Sequence, residues 1–211
     1  ANSAHTLRMA SPSSSFAGNI VAFDSNCNFG GNVDGNVEIF TVAAAAVTQI
    51  TSSANCDNLT PSVNSNGTRL SFDSDCDFTG ANMDGSVEIF RAAGADDVEQ
   101  ITDDRSSSGC ASINAVTDAS GDVVAFESDC DLDGGNGAEV NEIYESRPAT
   151  GVVRRTSSQG DACVNATPAL TSDGSALAFA SDCDLLGENP DGGTEIYTLN
   201  SEVLTQATQD A

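Results

Sequence analysis

The chain has no lysine, no tryptophan and a single histidine, His5. It also has no apolar run of about 18 residues, so nothing in it reads as a membrane-spanning helix. All seven basic residues are arginine, against 32 acidic ones, and the formal charge is −25. Nucleic-acid binding is excluded by that balance, because it needs a basic footprint. A charge of this size resists compaction and self-association unless cations screen it. With its one histidine in the N-terminal tail, the chain is poorly equipped for a Ser-His-acid or Cys-His device. No GxSxG, P-loop or GxGxxG strand-helix unit is present. The first 15 residues have neither the basic nor the apolar region of a signal peptide.

What is present repeats. The last Phe of an apolar run falls at Phe23, Phe72, Phe126 and Phe179. A Glu-Ile-aromatic triplet follows each: Glu38-Ile39-Phe40, Glu88-Ile89-Phe90, Glu142-Ile143-Tyr144 and Glu195-Ile196-Tyr197. Thr51, Thr102, Thr156 and Thr208 close the units. Three markers sharing a period of about 50 residues define a repeat architecture. Within the second unit, residues 61–63, 69–72, 87–90 and 98–102 read as short strands. Gly, Asn and Asp supply the turns between them, and no helix is expected. Four strands per unit of this length are the signature of a propeller blade.

The seven cysteines contain no CxxC pair, which argues against zinc. Cys56 and Cys76 are centred on the turn at 64–67; Cys110 and Cys130, and Cys163 and Cys183, are centred on equivalent turns. Each pair thus lies opposite across a hairpin, where a disulfide fits. The spacing predicts the bonds Cys56–Cys76, Cys110–Cys130 and Cys163–Cys183, and with them an extracellular, cell-surface or periplasmic location. Cys27 has Leu7 where its partner should stand, so it is either a free thiol or a bond to something outside the chain. Three sequons, at Asn58, Asn66 and Asn165, suit an exported protein and make glycans conceivable partners.

After each apolar run comes a polar loop rich in oxygen donors. The second copy carries Asp75, Asp77, Asn82, Asp84 and Glu88; the fourth Asp182, Asp184, Asn189, Asp191 and Glu195; the third includes Asp129 and Asp131. Hard cations want six to eight such oxygens on a loop bent by Gly, so these residues are candidate Ca²⁺ ligands. The competing reading is a set of favourable turns, with Asn and Asp bonding locally and no ion.

Pro61, Asn66-Gly67, Leu70-Ser71-Phe72, Glu88-Ile89-Phe90 and Gln100-Ile101-Thr102 together resemble the TolB-type propeller repeat, as does Thr167-Pro168 with Ser172-Asp173-Gly174. The resemblance spans about residues 11–210 and implies an all-β propeller of four-stranded blades. It implies no activity, since such repeats occur in periplasmic binding proteins and as accessory domains of peptidases. Such propellers usually have six or more blades, and four are found here. Closure into a compact propeller, an open arc, and part of a longer parent are all compatible with four.

The expectation is therefore an N-terminal tail over residues 1–10 and one four-bladed propeller over 11–211, with repeats of about 11–59, 60–113, 114–166 and 167–211. Thr6-Leu7-Arg8-Met9 reads as a spare strand: a loose tail, an addition to the chain's own last blade, or a strand given to a neighbouring subunit. A non-catalytic binding or structural scaffold, stabilised by Ca²⁺, is the leading functional expectation. The alternatives are an extracellular filament built head to tail through that strand, and a carbohydrate-active enzyme using channel carboxylates.

Overall fold

The computed structural model describes residues 8–95, 97–104, 109–137, 139–158 and 163–209. Among them there are sixteen strands and no helix. The first blade comprises β1 (Met9–Ser14), β2 (Ile20–Ser25), β3 (Glu38–Ala43) and β4 (Ala46–Gln49). The second comprises β5 (Asn58–Val63), β6 (Leu70–Ser74), β7 (Glu88–Ala92) and β8 (Val98–Gln100). The third comprises β9 (Ser112–Thr117), β10 (Val124–Ser128), β11 (Glu142–Arg147) and β12 (Gly151–Arg154). The fourth comprises β13 (Asn165–Leu170), β14 (Ala176–Ser181), β15 (Glu195–Asn200) and β16 (Val203–Gln206). Each blade is one antiparallel sheet in which chain neighbours are hydrogen-bonded neighbours.

Local chemistry sets the turns. Asn64 Oδ1 accepts the N–H groups of Thr68 and Arg69, and Asp118 Oδ1 those of Gly121, Asp122 and Val123. These side chains satisfy donors that the hairpin turn would otherwise leave open. Gly174 takes φ +65°, and a Cβ there would stand 2.9 Å from Val123 Cγ2 of the preceding blade. Only glycine allows both the left-handed backbone and this approach.

The apolar cores lie between blades. In every blade the aromatic of the second strand stacks on that of the third: Phe23 on Phe40, Phe72 on Phe90, Phe126 on Tyr144 and Phe179 on Tyr197, with centroids 5.7–5.8 Å apart. Onto each of the last three pairs packs the triplet isoleucine of the blade before: Ile39, Ile89 and Ile143, all fully buried. Burial of each such side chain contributes about 1.5–3 kcal/mol.

The blades pack in sequence, one on two, two on three and three on four, and among the described residues no comparable strand packing joins four to one. The outer faces of the end blades therefore stay open. Ile196, the fourth triplet isoleucine, is 41% exposed where its three equivalents are at 0%. Phe23 and Val21 are half-buried, whereas Phe72 and Leu70 are buried.

Two expectations change. Met9 opens β1, opposite Ser25, and Arg8 N donates to Asn26 Oδ1 beside it. The described part of the expected spare strand is thus the start of the first blade; Thr6 and Leu7, with His5, lie outside the described residues. The first strand of the second unit, expected over 61–63, begins at Asn58; every first strand is bulged, and its alternation slips by one residue midway. The sequons also divide. Asn58 and Asn165 are fully buried at equivalent places, and only Asn66 is exposed.

Candidate functional site

The three cysteine pairs are bonded as the spacing predicts, with Cα separations of 5.2, 5.1 and 5.1 Å. They close the first hairpins of blades two to four just beyond the ladder ends. Cys27 is a free, half-buried thiol whose Sγ lies 3.8 Å from the Arg8 carbonyl oxygen.

The candidate metal ligands hold backbone. Asp75 Oδ1 accepts the N–H of Asp57, Asp129 Oδ1 that of Ala111 and Asp182 Oδ1 that of Val164, at 2.7, 2.7 and 2.5 Å. Each thereby ties the end of strand two to the start of strand one. Asp77, Asp131 and Asp184 accept the N–H of Asn82, Asn136 and Asn189, at 3.1, 2.7 and 2.9 Å. Those three asparagines are buried and donate across the loop to the carbonyls of Ser86, Val140 and Gly193. Asp191 accepts from Gly193 N, and Asp84 from Ser86.

Among the described residues, no three carboxylates each bring an oxygen within 4.8 Å of the others. The groups that come nearest are Cys56, Asp75 and Cys76; Asp104, Cys110 and Cys130; and Cys163, Asp182 and Cys183. In each the two sulfurs are spent in a disulfide.

Glu88 and Glu195 sit elsewhere, in the blade interior. Glu38, Glu88, Glu142 and Glu195 each accept the hydroxyl of the closing threonine: Thr51, Thr102, Thr156 and Thr208. The same hydroxyls accept the N–H of Ile39, Ile89, Ile143 and Ile196 at 2.8 Å. The first three glutamates also take the N–H of Ser53, Asp104 and Ser158. Buried Asn58 and Asn165 reach back from the following blade to Glu38 and Glu142. The triplet Glu thus joins strand three to the segment after strand four, and Glu38 and Glu142 reach the next blade as well. Burial pushes the Glu88 carboxyl up, while its bonds from Thr102, Asp104 and Ser86 pull the other way.

A second set of acids lies on the inner edge of the blades, where the sequence reading had singled out nothing. Asp24, Asp73 and Glu127 occupy matching places on β2, β6 and β10, each almost wholly buried, and Ala180 takes that place on β14. They face the bulges of the first strands, where Ser11, Thr60, Asn114 and Thr167 take φ of 49°, 48°, 57° and 52°. That left-handed turn costs a non-glycine residue of order 1–3 kcal/mol. It also aims N–H groups at the acids: Thr167 N donates to Glu127 Oε1 at 2.8 Å, and Asn114 N to Asp73. Glu127 further accepts from Asn114 and Asn141. Asp24 is paired with Arg8 at 3.0 Å without hydrogen-bond alignment, and Asp73 Oδ1 has no partner. Burial raises the Asp73 carboxyl to about 7; the Asn114 N–H opposes this, and the charges of Asp24 and Glu127 add to it.

Over this edge opens a cleft of about 400 Å³, walled by Pro12, Pro61 and Pro168, by Ser13 and Ser62, and by Glu127. The signal available in the sequence was an acid between the strand-ending Phe and the following Ser in three copies of four, hidden among the 32 acids of the chain.

No known protein family matches the sequence, and no curated protein resembles it closely enough to count as a relative. Solved structures do share its fold. TolB from Acinetobacter baumannii superposes with a TM-score of 0.62 at 20% identity, over 96% of this chain and 44% of that one. The putative TolB from Agrobacterium tumefaciens gives 0.63 at 12%, over 94% and 64%. The β-propeller domain of the Trilobed protease from Pyrococcus furiosus, described as having an open velcro topology, gives 0.55 at 9%, over 97% and 58%. The fold is a TolB-like β-propeller of four blades, and the chain spans about half to two thirds of the length of these proteins. Likeness at this identity establishes the fold alone. Disulfides in three blades are compatible with an extracellular or periplasmic place, and no described helix is long and apolar enough to cross a membrane.

Proposed function

We propose that this chain is an exported, non-catalytic scaffold whose inner cleft receives a basic group presented by a partner protein. The observation that carries this reading is Glu127 in the wall of the cleft, with buried Asp24 and Asp73 at the matching places of the two preceding blades and Arg8, among the described residues, the one cation paired to that row. Glu127, held by the Thr167 N–H and the amides of Asn114 and Asn141, attracts an ammonium or guanidinium group, and a cleft walled by prolines seats it without ordering flexible side chains. Among the described residues, no hydroxyl of the wall is hydrogen-bonded to a carboxylate. The Thr and Ser hydroxyls of the wall bond to backbone or stand alone, as Thr60 Oγ1 does.

The test is calorimetric titration of short neutral peptides containing one Lys or Arg, at physiological salt. Binding that is lost in Glu127→Gln and kept in the loop variant Asp34→Asn supports the reading. Equal binding by both variants, or none by the native chain, overturns it. Turnover in a glycan-substrate screen would instead revive the channel-carboxylate enzyme.

Calcium belongs to this proposal at one place, the second-blade loop. There Asn82 Oδ1, Asp84 Oδ1 and Glu88 Oε1 lie 3.1, 3.2 and 3.1 Å from Ser86 Oγ, which has one proton to give. Those are oxygen types that suit Ca²⁺, completed by water. A rise in melting temperature with Ca²⁺ that Asp84→Asn abolishes supports it; no rise sinks it.

A further inference from the structure

The three internal blade junctions are copies of one interface, and the chain leaves half of that interface open at each end. We propose that the open faces bind each other in trans, so that copies of this chain add head to tail, the fourth blade of one against the first blade of the next. This stands apart from the cleft reading, which concerns the inner edge.

Three elements of the junction recur, each with an open half at both ends, and a fourth differs. The first is the isoleucine. Ile39, Ile89 and Ile143 bury themselves against the stacked aromatic pair of the following blade. Ile196 is left 41% exposed, and at the other end the Phe23–Phe40 pair, with Val21 beside it, has no isoleucine upon it.

The second is the backbone ladder of the turns. Phe16 N donates to the Ser65 carbonyl, Ser65 N to that of Ala119, and Ala119 N to that of Ser172, at 3.1, 3.3 and 2.9 Å. Among the described residues the series ends with the Ser172 N–H undonated and the Phe16 carbonyl unaccepted. The missing rung is Ser172 to Phe16 of the next copy.

The third is a glycine notch. The turn glycines Gly121 and Gly174 sit so close to Arg69 and Val123 of the preceding blade that an added Cβ would stand 2.7 and 2.9 Å from their side chains. Gly18 keeps the same backbone, φ +66°, with nothing within 4 Å. Ala176, at the strand position of Arg69 and Val123, is the small residue that would fill the space.

The fourth differs, and in the direction a separable junction needs. Asn58, Ser112 and Asn165 hold the polar start of strand one in blades two to four, and in blade one this place is taken by Met9, 67% exposed. With Ala10, Pro12, Val21 and Phe23 it makes an apolar patch on the outer face of blade one. An apolar patch of this kind marks an association surface, with Val21 and Phe23 placed to take Ile196 as Leu70 and Phe72 take Ile39. Successive addition through unlike faces makes a ring where the rotation closes and a filament where it does not.

The charge of −25 per copy opposes the contact, so assembly should strengthen as salt rises to about 0.5 M. The test is sedimentation of the full chain over concentration and salt. Native protein should form concentration-dependent oligomers, and Ile196→Asp or Met9→Asp should each weaken association at least about tenfold. Both positions are exposed, and unchanged melting curves confirm folding. Should one variant not fold, Ala176→Arg replaces the first and Phe16→Asp the second. The deciding sample mixes the two: each variant keeps the face the other has lost, so together they should form a dimer that grows no further. Three results would overturn the proposal. One is a native chain that stays monomeric at all concentrations and salts, as when further blades of the same polypeptide cover the faces. Another is variants that assemble as the native chain does. The last is assembly of the native chain without dimer formation in the mixture, which would indicate like-to-like pairing.

Discussion

Asn165 Nδ2 donates to Glu142 Oε2 across the boundary between the third and fourth blades, at 3.1 Å, and both residues are almost wholly buried. Asn58 and Glu38 repeat the contact one junction from the other end, at 2.9 Å. Hydrogen bonds to a buried carboxylate are worth about 1.5–3 kcal/mol, and removing the donor leaves the charge short of a partner. Asn165→Ala should lower unfolding free energy by about that amount, measured by urea titration, while exposed Asn66→Ala changes it by less than about 0.5 kcal/mol. Expressed in a glycosylating host, the folded chain should carry sugar at Asn66 and at neither Asn58 nor Asn165, which peptide mapping will show.

Asp73 carries a raised carboxyl of about 7 through burial. In the unfolded chain it ionises near its ordinary value of 3.8. Between those limits the native state holds a proton that the unfolded state has released, so this group makes stability fall as pH rises from about 4 to 7, and adds no further slope above. Asp73→Asn keeps an acceptor for the Asn114 N–H and removes the titration. Its stability relative to the native chain should climb over that window to a plateau of about 2–4 kcal/mol, read from melts at a series of pH values. A constant difference at every pH would contradict the assignment.

Each disulfide closes a hairpin loop between residues 20 apart, and the loop-entropy account gives about 3 kcal/mol apiece. Replacing Cys110 and Cys130 together by Ala should cost about that much, with the first blade little affected. Mass mapping of the native protein should recover the three pairs and alkylated Cys27.

Gly174→Ala should be several times costlier than Gly18→Ala. Both place Cβ in a left-handed backbone, worth about 1 kcal/mol. Only at Gly174 does the methyl also meet a neighbouring blade, at Val123. Equal losses in denaturant titrations of the monomer would mean that the inter-blade approach is looser than described.

The sequence carried the blade plan well because its markers are structural. The stacked Phe–aromatic pairs, the Glu–Thr hubs and the disulfides are repeated four, four and three times, and repetition makes a pattern visible. Repetition does not by itself tell role. Composition leaves open which way an acid points: Glu88 and Glu195 bond the closing threonines inside their blades, and Glu88 Oε1 also reaches Ser86 of the loop. The first strand of the second unit reads shorter than it is because a bulge at Thr60, matched at Ser11, Asn114 and Thr167, shifts the alternation midway. Asp24, Asp73 and Glu127 stayed hidden for a third reason. Their significance lies between blades, in the approach of a neighbouring backbone about 40 residues further along, which no local window contains.

The first blade is the one unit without a disulfide, and it has a neighbour on one side only. In an array where each unit leans on the next, opening should begin there, well below the temperature at which the stapled blades melt. Its half-buried Cys27 then acts as a thermometer inside the molecule. Thiol-labelling speed against temperature would record the fraying of one blade while circular dichroism still reports an intact protein, and a capping copy on that face would slow the clock.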